Sequence, residues 1–250
     1  MHPTQVSQPQ ALKSSRVIST VVATAVRLWL LTQLDGVQDL KVQIEVSRSA
    51  LISGLVPLIA VTARQAIYQG LYLRQISLVA KDIQINLNQI LTGQPLRLNQ
   101  PIPVSGELLL GEADLNNSLK SPMLANALTE FLLTLLKKAE DQKNGNMNPA
   151  NLIKGQQITW KQIKFDTSHL VINGVCFDFD GKQTPVEIRA GLQVEKGHLL
   201  QCSRIAIELL LLPKIELDRF LVDLGSEVNI EELTLNPGQL TCRGRILVRP

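Results

Sequence analysis

The sequence predicts an α+β fold built on antiparallel sheet, and three observations carry that reading. Apolar residues alternate with period two over most of the chain, and the helical period appears in only two stretches, near 14–34 and 112–138. The strand runs follow one another without intervening helices, so the crossovers of a parallel sheet are missing. Turn-forming pairs separate the runs, among them Asp180-Gly181, Lys196-Gly197 and Pro237-Gly238.

Residues 1–13 are polar, carry Pro3 and Pro9, and read as a disordered lead. Ser14 or Ser15 caps a helix that runs to about Leu34 and stops at Gly36. Positions 17, 18, 21, 22, 25, 28 and 29 form its apolar face, opposite a stripe of Arg16, Thr20, Ala23 and Arg27. Ala23-Thr24-Ala25 imitates a signal-peptidase site. The apolar pattern runs on through Leu28, Trp29, Leu30 and Leu31, so an amphipathic helix accounts for the same residues.

Leu40, Val42, Ile44 and Val46 then alternate with polar residues as a half-buried strand. Further strands are predicted near 57–67, 71–80, 82–87 and 102–110. Asp114-Leu115-Asn116 opens a short turn, and Ser121-Pro122 is an N-cap and first-turn pair. The long helix that follows carries a stripe of Leu124, Leu128, Phe131, Leu132 and Leu135, with Lys137 and Lys138 near its end. Residues 139–155 are polar, contain Gly and Pro, and read as a surface linker inside a single domain spanning 14–250. Strands follow near 156–165, 169–179, 185–194, 198–210, 214–222, 228–235 and 240–248.

Composition narrows the chemistry. Of 250 residues 82 are Leu, Ile or Val, which excludes a disordered chain and supports a large aliphatic core. Aromatic residues make up 4%, too few for a base-stacking nucleic-acid module, and no nucleic-acid partner is expected. Three cysteines without a CxxC pair fit neither a disulfide scaffold nor a zinc ribbon, and they suit a reducing compartment. The expected location is cytoplasmic, with peripheral contact to a membrane. No stretch of about 20 apolar residues offers a transmembrane helix.

Catalytic motifs are missing: the chain holds no GxSxG, GxxxxGK[ST], HExxH or GxGxxG. Cys176, Asp178, Asp180, Gly181 and Glu187 imitate a calcium loop, but Cys176 offers no hard oxygen and Pro185 interrupts it. A hairpin with outward carboxylates explains these residues. Arg243, Arg245 and Arg249 alternate on one strand and read as a solvated face. No cofactor, metal ligand set or catalytic residue is expected.

Two greasy helices and long amphipathic strands allow two readings: a closed core, or an apolar groove between helix and sheet that fits flexible acyl chains. The groove reading names Leu128, Phe131, Leu132 and Leu135 on the long helix, with Val21 and Leu28 on the first. Arg27 and Trp29 are the candidates for membrane contact, since tryptophan favours interfaces and arginine meets lipid phosphate.

Several runs also resemble a known family: Arg27–Gln33, Tyr68–Leu71, Ile85–Leu91, Gly93–Leu98, Pro103–Gly106, Asp114–Leu119 and Asp223–Val228. They are similar to a cyanobacterial family long described as a domain of unknown function and grouped with the mycobacterial LmeA phospholipid-binding proteins. The resemblance covers about residues 14–250. It implies a fold like tubular lipid-binding domains, in which a strongly curved antiparallel sheet wraps a long helix. It also implies binding of phospholipid without chemistry, for lipid transfer or presentation. A ligand-free structural or interaction module is the first alternative and a lipid hydrolase the second.

Overall fold

The computed structural model describes residues 9–45, 54–143, 155–177, 181–209 and 212–250, together with Ala150 and Ile153; within the first helix, side chains are described from Ile18. The predicted strand at Val46, the turn at Asp180 and part of the 139–155 segment lie outside the described residues.

Helix α1 (Pro9–Gln33) leads into β1 (Gly36–Glu45), β2 (Leu55–Tyr68) and β3 (Leu71–Gln84). A short α2 (Leu87–Leu91) precedes β4 (Ile102–Gly111), and α3 (Glu112–Ser118) and α4 (Pro122–Lys143) follow. Seven strands complete the chain: β5 (Gln157–Phe165), β6 (Leu170–Phe177), β7 (Gln183–Glu195), β8 (Leu199–Leu209), β9 (Ile215–Asp223), β10 (Val228–Asn236) and β11 (Gln239–Val248). Every pairing is antiparallel. The result is an α+β fold with two sheets, of order β1-β2-β3-β4-β11-β10 and β5-β6-β7-β8-β9.

Three boundaries differ from the sequence reading. Helix α1 begins at Pro9, inside the segment read as a disordered lead and ahead of the expected serine cap. Helix α4 runs on to Lys143, into the segment read as linker, because Ala139 packs into the core beyond Leu135 and Leu136. The strands expected at 71–80 and 82–87 are joined as one, β3. Asp82 has a positive φ of 51°, which flips the pleat: Leu78 and Ala80 face inward before it, Ile83 and Ile85 after it. Sequence alternation breaks at that residue while the ladder to β2 continues without a shift in register.

The two-residue turn between β2 and β3 shows why these neighbours stay together. Gly70 has a φ of 75°, donates its N–H to Asp35 Oδ2, and lies so near Ser121 that a Cβ would collide with it. The Ser121 hydroxyl does not cap its own helix but donates to the Gln69 carbonyl. Pro237-Gly238 joins β10 to β11, with Gly238 at the positive φ a type II turn requires.

Helix α3 links the two sheets. Asn116 Nδ2 donates to the Ile163 carbonyl while its Oδ1 accepts from the Ile163 N–H, and Glu112 Oε2 accepts from the Phe165 N–H. These two side chains occupy hydrogen-bonding positions on β5, the edge strand of the five-stranded sheet. Arg74 of β3 pairs with Asp114 on the same helix at 2.9 Å.

Candidate functional site

The residues named on α4 lie against the five-stranded sheet. Leu132 and Leu135 are 0% exposed, and Leu128 and Phe131 are partly buried against the same cluster. Trp160 closes that cluster, its indole N–H donating to Thr129 Oγ1 at 3.0 Å. Phe131 meets Phe220 edge to face at 5.9 Å between ring centres. None of the four lines either of the cavities found beside α1.

Helix α1 is set differently. Val22 and Val26 are its buried residues among those described, and its other side borders open space. An outer groove of about 500 Å³ runs between α1 and the segment from α2 to Leu96, bordered by Val21, Ala25, Leu28, Trp29, Ile90 and Leu96. Thr20, Thr24, Thr32 and Gln94 are its polar members, and no charged side chain lines it. The hydroxyls of Thr24 and Thr32 donate back to the helix carbonyls of Thr20 and Trp29.

A second cavity of about 180 Å³ lies between α1 and the six-stranded sheet, and all of its lining side chains are apolar. Strand β2 contributes Ile59 and Val61, and β3 contributes Leu78, Ala80 and Ile83. Ile246 and Val248 of β11 stand opposite Val104 and Ile102 of β4 in the ladder, so the two strands offer matched pairs. Trp29 and Leu96 belong to both spaces, which makes them the shared wall.

The loop that supplies Leu96 and Leu98 is held by one side chain. Asn86 Nδ2 donates to Gln89 Oε1 and to the Pro95 carbonyl, and its Oδ1 accepts from the Arg97 N–H. An isolated bridge pairs Ile85 with Leu98. A Gly-Gln-Pro loop thereby becomes a fixed wall.

Of the named residues, then, Val21, Leu28 and Trp29 border the outer groove, and Arg27 is exposed beside them. Leu28 is 59% exposed and Trp29 37%. Periodicity missed the sheet and loop residues of the inner cavity. The available clue was Leu96 and Leu98, apolar side chains in a Gly/Pro loop outside any amphipathic element.

The site offers little chemistry of the bond-making kind. The Cys202 thiol is pushed up to about 11 by burial, and that of Cys242 is raised for the same reason. Both are therefore poor nucleophiles at neutral pH. Ser168 Oγ and His169 Nδ1 are 2.7 Å apart, but they are chain neighbours, Ser168 exposed and His169 half-buried, remote in sequence from the cavity lining. Among the described residues no group of three His, Cys, Asp or Glu is arranged to hold a metal ion. The C-terminal arginines are engaged in exposed ion pairs, Arg243 with Glu232, Arg245 with Glu231 and Arg249 with Glu227. Among the described residues no helix is long and apolar enough to cross a membrane.

Residues 14–245 match the LmeA-like phospholipid-binding family. The chain belongs to it. No curated protein and no solved structure matches the chain. The match takes in the outer groove, the inner cavity except Ile246 and Val248, and the whole of the α4 core of this LmeA-like chain, so it points to a lipid partner without choosing between them.

Proposed function

We propose that this LmeA-like chain binds a phospholipid without chemical change, with an acyl chain in the all-apolar cavity beneath α1, and carries or presents it at a membrane. The observation behind this reading is that cavity's lining: Trp29 and aliphatic side chains from α1, from four strands of the six-stranded sheet (β2, β3, β4 and β11) and from the 96–98 loop. Methylenes transferred from water to such a surface gain about 0.8 kcal/mol each. With no polar side chain in its lining, the space offers water few hydrogen-bond partners, which leaves it available to hydrocarbon. The outer groove, with its threonine hydroxyls and Gln94, suits the glycerol end of the lipid. The reading takes 14–250 as one lipid-binding unit, a tube of sheet around its helices.

The test is extraction. Purified protein incubated with mixed phospholipid vesicles, then re-isolated, is expected to yield about one phospholipid per chain by mass spectrometry. Protein that emerges without lipid overturns the proposal. Release of free fatty acid from the vesicles would mean the lipid is a substrate.

A further inference from the structure

Acidic residues are unevenly placed along this chain. All 22 Asp and Glu lie outside two segments, Met1–Leu34 and Ile83–Gly106, and these two supply α1, α2 and the 93–98 loop, the elements that border the outer groove. The same segments carry Lys13, Arg16, Arg27 and Arg97. Arg27 and Arg97 are exposed, and no acid stands within ion-pair distance of either among the described residues. Of the other exposed arginines described, Arg74, Arg189, Arg219, Arg243, Arg245 and Arg249 each hold a carboxylate, and Arg64 and Arg204 stand without an ion pair among the described residues.

The same rim exposes large apolar side chains. Leu28, Trp29 and Leu31 project from α1 and Leu91 from the end of α2, all more than a third exposed. Leucines and a tryptophan standing among unpaired arginines, with no acid in either segment, match the outer layer of an anionic bilayer: apolar side chains reach the acyl region and guanidinium groups meet phosphate.

We infer that the α1–α2 rim docks on an anionic membrane surface and turns the mouth of the lipid cavity toward the bilayer. The inference rests on the proposed lipid site, which it supplies with a route: a lipid passes between bilayer and cavity without its chains crossing water. Docking needs two signals, apolar insertion and charge, and the rim carries both.

The experiment measures flotation and lipid content separately. Wild-type protein is mixed with vesicles of phosphatidylcholine alone or with 30% phosphatidylglycerol (roughly the charge density that draws polybasic segments). It is expected to float with the charged vesicles and to be released as salt is raised. Arg27→Gln/Arg97→Gln removes two unpaired cations and is expected to weaken binding by about five-fold for each. Leu31→Gln/Leu91→Gln, at exposed positions outside both cavities, is expected to lose flotation and to take up lipid from vesicles more slowly, while the lipid it holds after long incubation reaches the wild-type level. Flotation that is unchanged in both variants overturns the inference. So does wild-type self-association, read by light scattering, that disappears in the leucine variant, since the rim would then cover a second copy. Loss of extractable lipid from wild type would instead overturn the lipid-site proposal, which flotation does not measure.

Discussion

Leu132, Leu135, Leu136 and Ala139 of α4 are all shut off from solvent, whereas α1 buries Val22 and Val26 and borders two cavities. Both helices are amphipathic and both lie on antiparallel sheet. What differs is the length of the inward side chains and what closes the far side. On α4 the inward residues are leucines, met by Trp160, Ile163 and Ile188. On α1 the buried residues are Val22 and Val26, each a carbon shorter, with Trp29 and Leu30 lining the cavity beside them, over a sheet that presents Ala80 among its larger residues. Interiors normally pack without gaps larger than a water. Beneath α1 such a gap is present, and beneath α4 the inward leucines fill the space against their sheet.

The sharpest break of that contrast is a buried charge. Leu132→Asp would place a carboxylate where no solvent reaches, at a cost of several kcal/mol, on the order of the whole stability of a domain. Leu28→Asp places it at an exposed site and should stay within about 0.5 kcal/mol of wild type. Urea titration is expected to show no cooperative transition for the first and a normal one for the second. A cooperatively folded Leu132→Asp protein that has lost its lipid would reverse the comparison and put the groove under α4.

Overpacking sharpens the contrast at smaller cost. Ala190 sits in the α4 core, and Ala80 faces the inner cavity. Ala190→Leu should lose about 1–3 kcal/mol, the usual cost of forcing extra methylenes into a filled interior. Ala80→Leu has space to enter and is expected to keep wild-type stability while carrying less extracted lipid. Equal destabilisation of the two would mean that both halves are equally full.

Most strands were legible because alternation reports one buried face, and turns such as Lys196-Gly197 and Pro237-Gly238 mark where it restarts. The division into two sheets was not. Strand β4 pairs with β11, well over a hundred residues away, and no local period encodes that partner. Asp82 shows another limit: a single residue with positive φ exchanges the faces of β3, so the pattern reads as two strands where the ladder has one. The cavities beside α1 were partly legible for a related reason. Periodicity on α1 names Val21, Leu28 and Trp29 as one face, but the same argument names Leu132 and Leu135, which are wholly buried. A helical period shows which side of a helix is apolar and carries no information about the distance to the sheet opposite.

The smallest expected effect separates the two halves by their thiols. Cys202 stands on β8 in the α4 core, and Cys242 stands half-buried on β11 in the six-stranded sheet. Burial raises Cys202 from 9.0 to about 11, so at pH 8 only about one molecule in a thousand carries its thiolate. Cys242 is raised by the same cause but is more accessible. Alkylation at pH 8, resolved by peptide mass spectrometry, is expected to modify Cys242 first and Cys202 only on the timescale of unfolding. The shift also fixes the sign of a pH effect. Between pH 9 and about 11 the unfolded chain releases the Cys202 proton while the folded chain retains it, so the folded state binds more protons and its stability falls as pH rises. Below pH 9 this contribution is fully present. Urea midpoints of wild type are expected to drop across that window, and those of Cys202→Ala to drop less. If Cys202 is alkylated as fast as Cys242, the α4 half opens as readily as the sheet beneath α1, and the distinction between a filled half and a vacant one fails at its core.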